Sequence, residues 1–109
     1  MEKLSLNEYQ RQANELMSEE AKKDPLLNAA LGLAGESGEC ADIIKKVKFQ
    51  GHDLDQQHLK EELGDVLWYL AEACEGLDTT LEEVAQMNLD KLHKRFAGNK
   101  FDVEKSKNR

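Results

Sequence analysis

Apolar residues recur at three- and four-residue intervals along most of this chain, the spacing of one face of an α-helix. Leu6, Tyr9, Ala13, Leu16 and Met17 make the first such run, and Ser5 with Glu8 supplies a capping box ahead of it. A helix is predicted from about Leu6 to Lys23. Asp24-Pro25 then offers a cap and a first-turn proline, so a second helix starts there. It runs to about Phe49, with Gly51 suited to the left-handed position beyond its end. A polar connection around Asp53 to Gln57 leads into a third helix from about Gln56 to Glu75, closed by Gly76. Thr80 with Glu83 opens a fourth, from Leu81 to about Ala97, closed by Gly98. The predicted fold class is all-α, a four-helix bundle in one domain over residues 1–100. The charged stretch 101–109 reads as a frayed, flexible tail.

The pattern breaks where carboxylates fall among the apolar positions. On a helical projection Glu36 lies in the middle of the stripe formed by Ala29, Leu33, Cys40, Ile43 and Val47, with Glu39 on its flank. The third helix repeats the anomaly: Glu62 lies among Leu59, Val66, Tyr69, Leu70 and Ala73, with Asp65 on the same flank as Glu39. A buried carboxylate is costly unless something compensates it. If the second and third helices pack antiparallel, four carboxylates face one another, and hard divalent cations such as Mg²⁺ resolve the repulsion. The all-oxygen donor set disfavours Zn²⁺. Acidic residues at Glu39 and Asp65, where a di-iron bundle would carry histidine, count against iron. Glu39/Asp42, Glu72/Glu75 and Glu75/Asp78 read as solvated-face pairs.

Other positions are open to two readings. Gly32, Gly35 and Gly38 each cost about 1 kcal/mol relative to alanine inside a helix; they serve close helix approach, or room beside Glu36, or both. Asn88, Lys91 and Arg95 lie in or beside the apolar stripe of the fourth helix. They suit anion contacts, with Arg95 forking onto phosphate oxygens, or else snorkel around an ordinary amphipathic helix. Lys46, on the Glu39 side of the second helix, is a weaker candidate of the same kind. Trp68 falls outside the third helix's own stripe, which suits a subunit interface or an aromatic platform for a base. The three histidines have no partners by spacing.

Composition narrows the classes further. One proline and 6% aromatics among 109 residues argue against a turn-rich β fold. Fifteen Lys and Arg against 22 Asp and Glu give a net charge of −7, which disfavours a DNA or RNA polymer as partner. There is no long apolar run, so neither a signal peptide nor a membrane span is expected, and the cytoplasm is the expected compartment. Two cysteines, Cys40 and Cys74, are too few for a disulfide framework and read as small buried hydrophobes.

Glu36-x-x-Glu39, then Glu62-x-x-Asp65, then Asn88-x-x-Lys91-Leu92-x-x-Arg95, together resemble the MazG-type all-α nucleoside triphosphate pyrophosphohydrolases. The strings Gly-Leu-Ala-Gly-Glu-Ser-Gly-Glu and Glu-Glu-Leu-Gly-Asp-Val-Leu-Trp-Tyr-Leu strengthen the likeness, which spans about Leu26 to Phe96. The resemblance implies Mg²⁺-dependent cleavage of an NTP or dNTP to the monophosphate and pyrophosphate, with Mn²⁺ as an alternative ion. By matching position it implies Glu36, Glu39, Glu62 and Asp65 as metal ligands; the flank positions of Glu39 and Asp65 point nearer to the cleft, so one of these two is expected to orient the attacking water. Asn88, Lys91 and Arg95 would hold phosphates, with Lys46 and Trp68 as further substrate contacts. It also implies a homodimer or a dimer of dimers with sites at subunit contacts. Phosphoribosyl-ATP hydrolysis and a non-catalytic helical dimerisation module are the alternatives.

Overall fold

Helices account for every regular element in the computed structural model, which describes residues 3–96 and 102–107. In order they are α1 (Leu6–Glu15), α2 (Glu19–Lys23), α3 (Pro25–Phe49), α4 (Gln56–Gly76), α5 (Leu81–Arg95) and α6 (Val103–Lys107). The all-α class is as the periodicity predicts. The helix starts also follow their caps. Ser5 Oγ accepts from the Glu8 amide at 3.0 Å, Asp24 Oδ1 from Leu27 at 3.2 Å, and Thr80 Oγ1 from Glu83 at 3.1 Å. The reciprocal halves of the capping boxes are not made. The Glu8 carboxylate turns to Arg11, and that of Glu83 to the Thr79 hydroxyl.

Three expectations need correction. The first predicted helix is two, because Leu16 and Met17 bond back three residues, tightening the turn, and Ser18 then caps α2 through the Ala21 amide. Helix α4 ends at Gly76, where its close was expected, and the positive φ beyond it falls at Asp78 (54°). A Cβ on Gly76 would stand 2.9 Å from the Leu26 amide nitrogen, so close packing on α3 is what excludes a side chain there. Trp68 is half-buried, because α1 covers the flank of α4 that a single stripe leaves bare. Glu72, expected on a solvated face, is 3% exposed.

At the other ends, Gly51 does take the left-handed conformation (φ 71°) and turns the chain out of α3. The α5 helix ends at Arg95, and Ala97 and Gly98 lie outside the described residues. Within the stretch read as a frayed tail, α6 forms a short helix.

The core is thin. Ala13, Ala71, Cys74 and Leu81 form its centre, with Tyr9, Leu67 and Trp68 packed around them. Gln10, also buried, pins α1 to the α4–α5 turn. Its amide donates to the Thr79 carbonyl at 3.0 Å and accepts from the Leu81 amide at 2.7 Å. Trp68 Nε1 donates to the Ala13 carbonyl at 3.2 Å. No large side chain among the described residues is fully buried.

Candidate metal centre

Helices α3 and α4 form the most extensive contact in the molecule and run antiparallel, as the opposed numbering of facing residues requires. Leu26 meets Gly76, Asn28 meets Glu72, and Gly32 meets the Tyr69 ring. One more step along this seam brings Glu36 against Glu62 and Asp65. One carboxylate oxygen from each of these three lies within 4.8 Å of the others. The register follows from helix geometry: residues four apart on α3 fall on one line and face residues three or four apart on α4. Tyr69 can fill the seam because residue 32 is glycine; a Cβ there would collide with the ring.

The electrostatics are those of charges short of a counter-ion. The Glu36 carboxyl is pushed up from 4.5 to about 7. The largest cause is the adjoining Glu62 carboxylate, to which only a protonated Glu36 can donate; partial loss of solvent and the charges of Glu62, Asp65 and Glu39 add to it. Glu36 Oε2 is buried with no hydrogen-bond partner among the described residues. Buried oxygens without a partner are uncommon and call for an explanation. Three converging carboxylates, one with an orphaned oxygen, fit a hard divalent cation by donor chemistry.

Glu39 is exposed one turn along α3, outside the close trio, yet near enough for its charge to act on Glu36. Lys46 is engaged at 2.7 Å by Asp42, whose carboxyl it holds below the usual range. It lines a hollow of about 200 Å³ with Glu39, His52 and His58. Asn88 and Lys91 are exposed on α5, and Arg95 lies over the Phe96 ring at 6.0 Å. Helix α5 packs on α1 and α4, and among the described residues no ion pair joins Lys91 or Arg95 to the carboxylate trio.

Sequence reasoning missed two neighbours of the trio. His58 Nε2 lies 3.3 Å from Glu62 Oε1, a pairing that the four-residue spacing on α4 would have suggested. Tyr9 stands across from Asp65; burial first, and then the Asp65 charge, push its hydroxyl pKa up. Tyr9 and Asp65, with Gln12, Gly64 and Trp68, line a cleft of about 620 Å³ that opens onto the trio at Asp65. No helix among the described residues is long and apolar enough to cross a membrane.

The Gene 37 protein of Mycobacterium phage L5 is 42% identical over 69 residues, a segment covering 60% of this chain and 60% of that protein. The match thus spans less than two thirds of the relative's length. No solved structure matches the chain. Residues 25–97 match the family model of the MazG nucleotide pyrophosphohydrolase domain, a stretch holding the whole of α3, α4 and α5 and with them the carboxylate trio. The chain belongs to the MazG nucleotide pyrophosphohydrolase domain family.

Proposed function

We propose that this chain hydrolyses nucleoside triphosphates, (d)NTP and water giving (d)NMP and pyrophosphate, with Mg²⁺ bound by Glu36, Glu62 and Asp65. The observation that carries the reading is the convergence of those three carboxylates around an orphaned Glu36 oxygen. Glu39 would join them as a ligand from the next turn of α3. The ion, when bound, supplies charge neutralisation and polarisation of phosphoryl oxygens.

The chain's own groups do the rest. Asp65, within the trio, or Glu39, one turn along α3, orients the attacking water and accepts its proton as the oxygen–phosphorus bond forms. The α–β anhydride bond breaks and its electron pair leaves with pyrophosphate. Asn88, Lys91 and Arg95 hold phosphate oxygens, Arg95 in bidentate fashion. Lys46 is a further candidate beside Glu39. As no ion pair joins Lys91 or Arg95 to the trio among the described residues of one protomer, those phosphate contacts would come from a second copy. A homodimer or homotetramer is supported by the apolar surface each copy leaves open: Leu27, Leu31 and Phe49 on α3, Leu63 on α4 and Met87 on α5 are all more than half exposed. Gly35 and Gly38 on α3 likewise meet nothing within 4 Å.

The test is pyrophosphate release from a panel of NTPs and dNTPs with Mg²⁺, comparing wild type with Glu62→Gln. The expected result is turnover in the wild type and its loss in a variant that stays helical. Retained turnover in Glu62→Gln overturns the metal assignment. Inactivity across the panel, with no nucleotide binding by calorimetry, overturns the enzyme reading in favour of a helical binding module.

A further inference from the structure

Glu72 is a buried carboxylate that the metal centre does not use. At 3% exposure it is further from water than Glu36, and its recorded partner is the Asn28 amide, Nδ2 to Oε1 at 2.8 Å. One neutral donor is a small return for desolvating a charge. A cavity of about 230 Å³ adjoins the pair, and Trp68 and Tyr69 form part of its wall. Their rings stack with centroids 5.6 Å apart and planes inclined by 26°. The cavity therefore combines flat aromatic surface with a polar edge. Because Asn28 spends an N–H on Glu72, that edge offers a ligand chiefly acceptors, the Asn28 Oδ1 and the remaining carboxylate lone pairs.

Its position matters as much as its lining. Glu72 follows Asp65 by seven residues, about 10 Å along α4, and Tyr69 lies between them on the same seam. An extended nucleotide covers a comparable span from its α-phosphate to the far edge of its base. The larger cleft on the other side of Trp68 is less suited to reading a base. Of its polar side chains, Arg11 is bound between Glu8 and Glu15, and Gln12 donates to Glu8 at 3.0 Å.

We infer that the cavity beside Asn28 and Glu72 is the base subsite, in which a base lies against Trp68 and Tyr69 and turns an exocyclic amine toward Glu72. The selected class is nucleotides of guanine, cytosine and adenine. Uracil and thymine are disfavoured because their single ring N–H lies between two carbonyls, so an oxygen meets the acceptor beside the one it serves. Guanine, with a ring N–H beside its amine, matches the two acceptors best. The inference rests on the nucleotide-hydrolysing reading given above and adds substrate selection to it.

Trp68 is the sole tryptophan, so its fluorescence reports on the cavity without turnover. Metal-free protein is titrated with dGMP, dCMP, dAMP and dTMP, and the titration is repeated with Glu72→Gln. The substituted amide would preserve a contact to Asn28 while offering a donor to a carbonyl. The expected result is quenching by dGMP at a concentration at least tenfold below that needed for dTMP, with the gap narrowing to within twofold in the variant. If Glu72→Gln fails to fold, dIMP, which lacks the exocyclic amine of dGMP, carries the comparison with wild-type protein: it should quench only at a concentration at least fivefold above that of dGMP, and quenching equal to that of dGMP overturns the inference. Equal quenching by all four monophosphates, or a preference that survives the substitution, overturns the inference. Discrimination among monophosphates by a protein that hydrolyses no triphosphate would overturn the pyrophosphohydrolase reading and leave the base subsite standing. Hydrolysis without base preference would do the reverse.

Discussion

Glu36→Gln is expected to stabilise the metal-free protein at alkaline pH, although it removes a ligand of the proposed centre. In the folded chain this carboxyl ionises near 7, against 4.5 for an unperturbed glutamate. Between those values the folded state keeps a proton that the unfolded state has released. The contribution of this group to stability is therefore whole below about pH 4.5 and is lost as pH rises through about 7. At about 1.4 kcal/mol per pKa unit the displacement corresponds to roughly 3 kcal/mol. Solvent reaching the half-buried group reduces that to about 1–2 kcal/mol. Glutamine is neutral at every pH and still has a donor for Glu62, so it mimics the protonated acid. In thermal unfolding at fixed protein concentration without divalent metal, the variant should melt about 5 °C above wild type at pH 8 and close to it at pH 5. Adding Mg²⁺ should reverse the order at pH 8, since binding stabilises only a chain that retains the site. A variant that melts below wild type at pH 8 without metal, or that gains as much from Mg²⁺, would refute the reasoning.

Gln10→Ala removes the two bonds that tie α1 to the α4–α5 turn and strands the Leu81 amide in the core. It should cost about 2–3 kcal/mol in urea unfolding, and a loss below about 0.5 kcal/mol would contradict the pinning role. Gly32→Ala drives a methyl group into the Tyr69 ring, whereas Gly35→Ala meets open space. The first should destabilise an isolated protomer by about 1–3 kcal/mol and the second should be neutral or gain up to about 1 kcal/mol. The opposite order in thermal melts would refute the seam geometry. Leu31→Glu places a charge on the exposed apolar face of α3 and should lower the molar mass seen by light scattering to that of a monomer. An unchanged mass would exclude that face as the subunit contact.

What was legible in the sequence was what local physics decides. Ser5, Asp24 and Thr80 cap helices where their side-chain oxygens fall ahead of apolar runs. Two carboxylates inside apolar stripes marked a site because burying charge is costly at any position in any fold. The misses share one cause. A projection of one helix has one apolar stripe, whereas α4 is covered on two sides, by α3 and by α1. Trp68 and Glu72 therefore looked exposed from their own helix and are enclosed by a neighbour. The break at residues 16–18 was hidden likewise, because Leu16 and Met17 keep the helical spacing while Ser18 starts a new cap.

The sequence by itself therefore determined most of the helices and their ends, the family, and the carboxylates placed among apolar positions. These depend on interactions within a few residues or on the cost of placing a charge among apolar neighbours. Only the tertiary structure decided that Glu36, Glu62 and Asp65 meet while Glu39 stands aside, that Tyr69 fills the space over Gly32, and that α5 packs on α1 and α4. Those outcomes depend on the register between antiparallel helices and on which flank a third helix covers, and both are set by side chains far apart in the chain.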